Sequence, residues 1–281
     1  MTGRLLVVGT PIGNLGDLSP RAIEALRASA LICCEDTRHS SKLLTHAGIE
    51  GVRKAISNEH TEADRVQQVL ALLAAGNDVS VITDAGMPGI SDPGMVLVRA
   101  AIAAGHPVSV VPGPDAATSA LVLSGLDTSR FVFEGFLPRS GKDRSERLAA
   151  VAAEQRTIVV YEAPHRIVRT VRDLTEACGP QRRVALAREI TKLHEDVWRG
   201  TLDDACHHVD EVEPRGEYVV VLEGAPPAAE ATDERIVNLL RTAIERGADR
   251  RSAIATVMQA TGAAKRRVYD LALTVPRTPD E

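Results

Sequence analysis

Short apolar runs alternate with amphipathic segments along most of the 281-residue chain. This alternation is typical of a mostly parallel β-sheet whose strands are joined by crossover helices. Helix signals lie between the runs; for example, Thr61 and Asp64 are predicted to cap a helix over 62–75. The chain is therefore predicted to be an α/β protein. The strands predicted in its first half are Leu5–Val8, Leu31–Cys34, Val79–Thr83 and Val108–Val111.

A second set of strands follows a turn at residues 125–130. A stretch with two prolines at 225–232 separates this set from an all-helical end. We therefore expect two α/β domains, 1–127 and 128–224, then a linker and a small helical appendage over 233–281. The strands predicted in the second domain are Phe131–Phe133, Thr157–Tyr161, Val184–Ala187 and Tyr218–Leu222.

The helical appendage has a helix-turn-helix-like pattern. Predicted helices over 252–259 and 264–273 flank a turn at Thr261-Gly262. From residue 235 to residue 277 there are nine Lys or Arg side chains and three acids, although the whole chain has a net charge of −5. A basic patch of this kind can bind a phosphate backbone, whereas a plain three-helix bundle with solvated charges is the alternative. The RNA contacts predicted here are Lys265, Arg266 and Arg267.

Composition argues against several classes of protein. Aromatic residues make up only 2% of the chain, so broad aromatic platforms that stack bases are not expected. The long apolar runs are strand-length or broken by charge, and the start lacks a signal peptide's apolar stretch. The four cysteines show no metal-ligand spacing, so no metal site is predicted. We expect a cytoplasmic protein without a membrane or DNA partner.

The loop from Asp84 to Gly94 carries the strongest chemical signal. Its eleven residues include three glycines, two prolines and two carboxylates, and no Lys or Arg. The loop follows an apolar strand, which is where α/β sheets place ligands. Glycine lets the backbone approach a ligand, and proline fixes the shape of the loop. Because the loop is acidic, it suits a ligand with positive or hydroxyl-rich parts better than a phosphate.

Two further loops follow strands of the same predicted sheet. Residues 9–17 and 112–117 are also rich in Gly and Pro and lack basic side chains. The glycines of the first loop, together with the acids Glu35 and Asp36, suggest a nicotinamide dinucleotide site. Their spacing departs from the Gly-x-Gly-x-x-Gly fingerprint, however. A different adenosine-bearing ligand is the better prediction.

Short motifs occur in a fixed order along the chain: Pro11-Ile-Gly-Asn14, Glu35-Asp-Thr-Arg38, Thr83-Asp-Ala-Gly86, Asp92-Pro-Gly94, Pro112-Gly-Pro114, Phe133-Glu-Gly-Phe-Leu-Pro138, His165-Arg166, Ala187-Arg-Glu189 and Thr191-Lys192. In combination they resemble the ribosomal RNA small subunit methyltransferase I family of the tetrapyrrole methylase superfamily. The resemblance covers nearly the whole chain. It implies a homodimer and a cleft for S-adenosylmethionine (SAM) between two α/β domains. It also implies methylation of a cytidine ribose 2′-hydroxyl in the decoding region of small-subunit ribosomal RNA, with free RNA or the 30S subunit as substrate.

The resemblance further implies that strand-end loops of both domains bind SAM. Three positions depart from the family pattern: Met87 stands where Thr is usual, Asp115 where a small residue is common, and Ala163 where Ser or Thr is frequent. Backbone contacts could survive these changes. The residues predicted to bind SAM are Pro11, Ile12, Gly13, Asp84, Ala85, Gly86, Met87, Pro88, Pro112, Asp115, Ala116, Ala117, Tyr161, Ala187 and Arg188.

Methyl transfer to a ribose hydroxyl requires alignment of the reacting atoms and activation of a poor nucleophile. Glu162 and Lys192 are predicted to be catalytic, while Asp36 and His165 are weaker candidates. Each has an alternative role: Glu162 could pair with Arg188, and Asp36 could cap a helix or pair with Arg38. His165 could cap the helix that follows it or contact RNA, and Lys192 could hold a phosphate. Further RNA contacts are predicted at Arg38, Arg139, Lys142 and Arg144.

Three other functions stay open at this level. A tetrapyrrole methyltransferase is the main enzyme alternative, although it would not need the basic helical end. A nicotinamide oxidoreductase is disfavoured by the glycine spacing. A non-catalytic RNA-binding assembly factor would not need the acidic strand-end loops.

Overall fold

A computed structural model describes residues 2–227 and 231–275 of the protein. The chain divides into two compact units, Met1–Ala225 and Pro226–Glu281. Part of the predicted linker, 228–230, and Arg277 of the basic segment lie outside the described residues. Within the described residues, no helix has the length and apolar character needed to cross a membrane.

The first sheet lies in the predicted domain 1–127 and is entirely parallel. Its strands are β1 Leu5–Val8, β2 Leu31–Cys34, β3 Lys54–Ile56, β4 Val79–Val81 and β5 Val108–Val111; the helices around it are α1 Pro20–Ala28, α2 Thr37–His46, α3 Glu62–Ala74 and α4 Met95–Ala103. The strand order is β3-β2-β4-β1-β5. Apolar side chains of α1 and α2 pack on one face and those of α3 and α4 on the other. Since β1 and β4 lie side by side, the loops that follow them meet at one edge of the sheet.

The second sheet is mixed, which corrects the prediction of mostly parallel strands. Its elements are β6 Phe131–Phe136, β7 Thr157–Glu162, β8 Arg183–Arg188, β9 Asp196–Thr201 and β10 Tyr218–Leu222, with the helices α6 Gly141–Ala153, α7 Ile167–Cys178 and α8 Leu202–Glu211. The order is β6-β7-β10-β8-β9, and only β6 and β7 pair in parallel. Antiparallel partners need no crossover helix, so a short loop is enough to join β8 to β9.

Helix α5, Ala116–Ser124, joins the two sheets into one unit. It belongs to the first domain by sequence, but its buried side chains pack against the second sheet. Ala117 and Leu121 share an apolar cluster with Val159, Ala185 and Val221. The other face of the second sheet is covered by α6, α7 and α8. The loop that precedes α5 is therefore held where the two predicted domains meet.

The helical unit contains α9 Asp233–Glu245, α10 Arg250–Thr261 and α11 Lys265–Ala272. Ile236, Leu240 and Val268 are fully buried in its core. Gly262 ends α10 with a left-handed φ of +65°, a conformation that glycine adopts without a Cβ penalty. The predicted pattern of helix, glycine turn and helix is present.

Local details differ from the prediction where side-chain partners come from elsewhere in the chain. Thr61 makes no capping hydrogen bond with α3; its hydroxyl contacts Asn58 instead. The Glu62 carboxylate accepts hydrogen bonds from the backbone N–H groups of Val96 and Leu97, at the start of α4. Strands β3 and β9 are not predicted from the sequence because edge strands are short or polar and lack a continuous apolar run.

Candidate functional site

Three loops of the first sheet form what we call the first wall: residues 9–13, 84–94 and 112–117. Thr10 and Gly86 exchange backbone hydrogen bonds of 2.9 and 3.2 Å, and the Gly9 N–H donates to the Val111 carbonyl. A Cβ placed on Gly9 would lie 2.6 Å from the backbone nitrogen of Gly113, and one placed on Gly113 would lie 2.7 Å from the Gly9 carbonyl carbon. Two backbones can approach this closely only because both residues are glycine.

The second wall comprises residues 161–165, 188–192 and Glu217, and ion pairs hold it in place. Glu162 has a fully buried carboxylate that receives hydrogen bonds from the Ala163 N–H and the Thr170 hydroxyl. Its Oε1 also lies 3.1 Å from Arg166 Nε. Because both carboxylate oxygens are occupied, these contacts argue against the predicted catalytic role of Glu162. Its ion-pair partner is Arg166, and not Arg188, which was the alternative considered for this residue.

Lys192 is held between two acids of the second wall. Its Nζ lies 2.8 Å from Glu189 Oε1 and 2.9 Å from Glu217 Oε2. Burial lowers the pKa of Lys192, but the two carboxylates outweigh that effect and raise it overall. The side chain is thus a fixed cation, and its charge is already balanced.

A cavity of about 520 Å³ lies between the two walls, within the size range of small-molecule sites. The cavity is lined by residues of both predicted α/β domains and therefore lies where the cleft was expected. Three non-glycine residues among those described have left-handed φ angles, and all lie on the loops around it: Ser91 (60°), Glu189 (51°) and Thr191 (67°). Such strain concentrates at functional sites. The lining includes Ile12, Glu35, Asp84, Ala85, Gly86, Met87, Ser91, Asp92, Asp115, Ala116, Phe136, Tyr161, Glu162, His165, Ile190, Lys192 and Glu217.

The predicted SAM contacts divide into two groups by position. Eight of them line the cavity, namely Ile12, Asp84, Ala85, Gly86, Met87, Asp115, Ala116 and Tyr161. The other seven do not line it: Pro11, Gly13, Pro88, Pro112, Ala117, Ala187 and Arg188. Ala187 is fully buried inside β8, and Arg188 lines a different, smaller cavity.

The positions that depart from the family pattern have local explanations. Asp115 caps α5: its Oδ1 accepts hydrogen bonds of 2.7 Å from the N–H and the hydroxyl of Thr118. The sulfur of Met87 would be 2.6 Å from a Cβ on Gly9, so this side chain covers the closest approach of the two backbones. Ala163 lines the cavity and donates its N–H to Glu162.

Excess negative charge is the main electrostatic feature of the cavity. Six of the lining side chains are carboxylates, and Lys192 is the one Lys or Arg among the residues that line it. Burial, followed by repulsion from Glu35, Asp84 and Glu217, raises the pKa of Asp92 from an ordinary 3.8 to about 7. The pKa of Glu35 is also raised, by burial and then by Asp84. A cation placed here would relieve this repulsion.

Asp84 has a carboxylate oxygen that could accept a hydrogen bond from a hydroxyl or amine group of a ligand. Its Oδ1 is buried and has no hydrogen-bond partner, whereas its Oδ2 lies 3.8 Å from His39 Nδ1. A buried acceptor without a donor is costly, so this atom calls for a donor on a ligand. Among the described residues, no group of three or more His, Cys, Asp or Glu is arranged to hold a metal ion.

Three cavity acids, Glu35, Asp92 and Glu217, were not among the predicted site residues. Glu35 was considered only as part of a nicotinamide dinucleotide site. Asp92 lies in the loop with the strongest sequence signal, and its raised pKa could be recognised only after Glu35, Asp84 and Glu217 were brought around it. Glu217 precedes β10, far from the other motifs, and no sequence signal distinguished it.

The weaker catalytic candidates have different surroundings. Asp36 is the N-cap of α2 and pairs with Arg38, so its structural alternative is confirmed. Contact with Arg38 lowers the pKa of Asp36 to about 2. His165 lines the cavity with an exposed side chain and lies two residues before α7.

Burial contradicts one of the predicted RNA contacts. Arg144 is 4% exposed, and its guanidinium donates to Asp173, to the Pro138 carbonyl and to the Thr170 hydroxyl. It therefore supports the Glu162 network and is not available to RNA. The other predicted contacts of this unit, namely Arg38, Arg139 and Lys142, are exposed.

The predicted contacts of the helical unit also differ from one another. Lys265 and Arg266 are exposed at the start of α11, whereas Arg267 pairs with Asp233 at 2.8 Å and donates to the Ala231 carbonyl. Across the whole segment 233–281 the sequence has nine basic and seven acidic side chains. The net charge of the unit is thus small, and a basic surface there depends on where the charges lie.

Comparison with known proteins gives consistent results for sequence and fold. The family model described as tetrapyrrole (corrin/porphyrin) methylases matches residues 4–206. Ribosomal RNA small subunit methyltransferase I of Synechocystis sp. is 43% identical over 273 residues, covering 96% of this chain and 98% of that protein. The protein of the same name from Pseudomonas aeruginosa is 42% identical and covers 96% and 97%.

Solved structures share the fold at lower sequence identity. The methyltransferase CobJ has a TM-score of 0.61 at 23% identity, covering 80% of this chain and 95% of that one. Uroporphyrin-III C-methyltransferase from Thermus thermophilus, complexed with S-adenosyl homocysteine, has a TM-score of 0.54 at 20% identity, with coverage of 79% and 97%.

Proposed function

The chain belongs to the ribosomal RNA small subunit methyltransferase I family of tetrapyrrole methylases, and from this premise we propose that it transfers a methyl group from SAM to small-subunit ribosomal RNA. The acceptor that we propose is the 2′-hydroxyl of a cytidine in the decoding region. The proposal rests mainly on the acidic cavity between the two walls. Glycines allow two backbone segments to approach closely in the first wall, and ion pairs hold the second. The unpaired acids of the cavity suit a cationic, hydroxyl-bearing donor.

The first wall would hold most of the methyl donor. Gly86 and Ala116 present small surfaces beside the cavity, where a flat ring can approach the backbone. Asp84 Oδ1 can accept a hydrogen bond from a ribose hydroxyl or an ammonium group. The carboxylates of Glu35 and Asp92 favour positive charge nearby. When bound, SAM would supply an electrophilic methyl group on a positively charged sulfur.

Asp92, which lines the cavity, is the proton acceptor that we propose. A carboxylate whose pKa is about 7 is largely ionised slightly above neutral pH, and is also basic enough to take a proton from a hydroxyl as the oxygen attacks. Asp92 would take up the hydroxyl proton as the acceptor oxygen attacks the methyl group that bound SAM would supply. Lys192, fixed by Glu189 and Glu217, would orient the acceptor from the second wall.

Each unit has exposed basic side chains that we propose as RNA contacts. Arg38, Arg139 and Lys142 are exposed on the larger unit, and Lys265 and Arg266 begin α11 of the helical unit. Cations of this kind would contact phosphates without reading sequence. The acceptor nucleotide would be selected in the cavity.

A homodimer is supported by exposed apolar side chains in the larger unit. Ile102 of α4 is 61% exposed, Val110 of β5 51% and Val122 of α5 73%. In addition, β5 is an edge strand. Exposed apolar side chains and an edge strand are each typical of surfaces that take part in protein–protein interfaces. If Ile102→Asp yields a monomer by light scattering while the exposed Arg172→Asp stays dimeric, the dimer and its surface are both supported.

The direct test incubates the protein with 30S subunits and methyl-labelled SAM. Mass mapping of the RNA should then locate one methyl group on a cytidine ribose of the decoding region. Parallel reactions with free small-subunit RNA and with a porphyrinogen acceptor distinguish the possible substrates. If label appears only on the porphyrinogen, the proposed RNA function fails.

A truncated protein ending before residue 232 tests the helical unit. Because the larger unit has its own cores, SAM binding measured by calorimetry should change less than twofold. Affinity for 30S subunits should fall about tenfold or more, since several phosphate contacts are lost. Equal subunit affinity would exclude the helical unit from RNA binding.

A further inference from the structure

A second cavity adjoins the acidic one and has the opposite charge. Its volume is about 300 Å³, and Arg188, Glu189, His194, Arg215 and Gly216 line it. The ion pair between Lys192 and Glu189 connects the linings of the two cavities. A group bound in the second cavity would thus lie next to the loop that positions Lys192.

The two arginines of this cavity have free donor capacity. Arg188 ends β8 and is partly buried. Its guanidinium makes no hydrogen bond or salt bridge with any residue that the structure describes, although its charge helps to lower the pKa of the neighbouring Glu189. Arg215 pairs only with Glu213 among those residues; the two side chains are 75% and 74% exposed, so water screens the pair. Two guanidinium groups facing one cavity are suited to a phosphate, whose oxygens accept several N–H bonds at once.

The one acid of the cavity is already neutralised. Glu189 Oε1 accepts hydrogen bonds from Lys192 Nζ at 2.8 Å and from the Glu217 N–H at 3.0 Å. Gly216, with φ of +73°, lets this carboxylate pack against its backbone, because a Cβ there would lie 2.4 Å from the carboxyl carbon. Glu189 itself holds a left-handed φ of 51°. The local backbone thus turns the carboxylate of Glu189 toward Lys192, which lies outside the lining of this cavity.

We propose that this second cavity binds a backbone phosphate of the RNA strand, next to the nucleotide that enters the acidic cavity. The inference rests on the proposed function. The charge of each cavity determines which ligand it binds. The acidic cavity repels phosphate and favours a cationic methyl donor, whereas the basic cavity repels the cation and favours phosphate. One phosphate held beside Lys192 would set the position of the neighbouring ribose.

The test compares Arg188→Gln and Arg215→Gln with a matched control, Arg172→Gln. Arg172 is an exposed arginine of α7 that pairs with Asp210 and lines neither cavity. Binding of each full-length protein to 30S subunits is measured over a range of salt concentrations. A lost phosphate contact should lower the slope of log K against log[salt] by about 0.7 to 0.9. For Arg188→Gln we also expect an affinity loss of about tenfold or more, as for a charge-assisted hydrogen bond, with SAM affinity unchanged.

The outcomes separate this inference from the proposed function. If wild-type protein methylates the subunit but both cavity variants bind it like Arg172→Gln, the phosphate site is wrong and the function stands. If Arg188→Gln loses SAM affinity while keeping the salt slope, Arg188 is a SAM contact and the inference is overturned. If wild-type protein binds the subunit without methylating it, a reduced slope in the variants still supports the phosphate site although the function fails.

Discussion

The two walls of the acidic cavity are built by different means. The first wall relies on backbone: Gly9 and Gly113 touch, and Thr10 and Gly86 are bridged by hydrogen bonds. The second wall relies on side chains: Glu162 is held by Arg166 and Thr170 in the segment that follows it, and Lys192 is held by Glu189 and the more distant Glu217. The first wall is therefore sensitive to added volume, and the second to removed charge.

Because they are built differently, the two walls suit different tasks. A wall of close backbones is rigid, so it can present a fixed surface to a ligand ring, while Asp84, Asp92 and Asp115 give it negative charge. A wall of paired side chains can place a cation at a fixed point, but it depends on every partner being present. Asp92 is the exception, because it is a side chain of the first wall that we assign to chemistry.

The largest effect is expected at this exception. Asp92→Asn should lower kcat/KM for methyl transfer by about 10² to 10⁴, the usual contribution of a positioned base. SAM affinity should change far less. Activity of the wild type should fall as pH drops through about 7, where Asp92 becomes protonated, and the variant should lose this limb of the profile.

Stability provides an independent check on Asp92. Because its pKa is raised in the folded protein, the folded state binds the proton more tightly, and the group destabilises the fold increasingly as pH rises from about 4 to about 7. Asp92→Asn should therefore raise Tm above pH 7 and have little effect near pH 4. An unchanged Tm together with full activity would remove Asp92 from the mechanism.

The second wall is tested next, by removal of one charge. Glu162→Gln leaves the Arg166 guanidinium without its buried partner, which should lower the free energy of unfolding by about 3 kcal/mol. Glu146→Gln is the matched control, because it breaks the exposed pair with Lys142 and should cost less than about 0.5 kcal/mol. Denaturant unfolding measures both. If the Glu162→Gln variant keeps its stability but loses activity, the result would support the catalytic role that was first predicted for Glu162.

The first wall is tested by added volume. Gly9→Ala places a methyl group 2.6 Å from the Gly113 backbone and should cost about 1 to 3 kcal/mol in stability, with a weaker SAM site. In the control, Gly16→Ala, the nearest atom would be the Asn14 side chain at 3.1 Å, so its effect should be much smaller. Calorimetry with SAM and thermal unfolding measure the two effects. Equal behaviour of the two variants would contradict a backbone-built wall.

The smallest effect is expected at Met87. Met87→Thr removes the sulfur that lies next to Gly9 but leaves the Gly9–Gly113 contact in place. SAM affinity should change by less than about threefold. The double variant with Gly9→Ala should bind no better than Gly9→Ala alone, because the clash with the Gly113 backbone remains. Rescue in the double variant would show that Met87, rather than Gly113, limits the space.

The backbone-built wall was largely predictable and the side-chain wall was not. Glycines and prolines following apolar strands are local signals, so loops such as 84–94 could be recognised together with the sheet that holds them. Glu162 and Lys192 were recognised as polar residues at strand ends, but their partners could not be identified. Arg144 was expected on the surface because basic residues usually lie there; instead, Asp173 and Thr170 bury it.

By itself the sequence determined the α/β class, four of the five strands of the first sheet, the helical end and the acidic loop, because periodicity, turn residues and charge are local properties of the chain. Only the tertiary structure decided the mixed order of the second sheet, the packing of α5 across the two domains, the pKa of Asp92 and the separate basic cavity around Arg188. Each of these depends on groups far apart in sequence being brought within a few ångströms. Burial and charge–charge interactions act over that distance, and no local pattern encodes them.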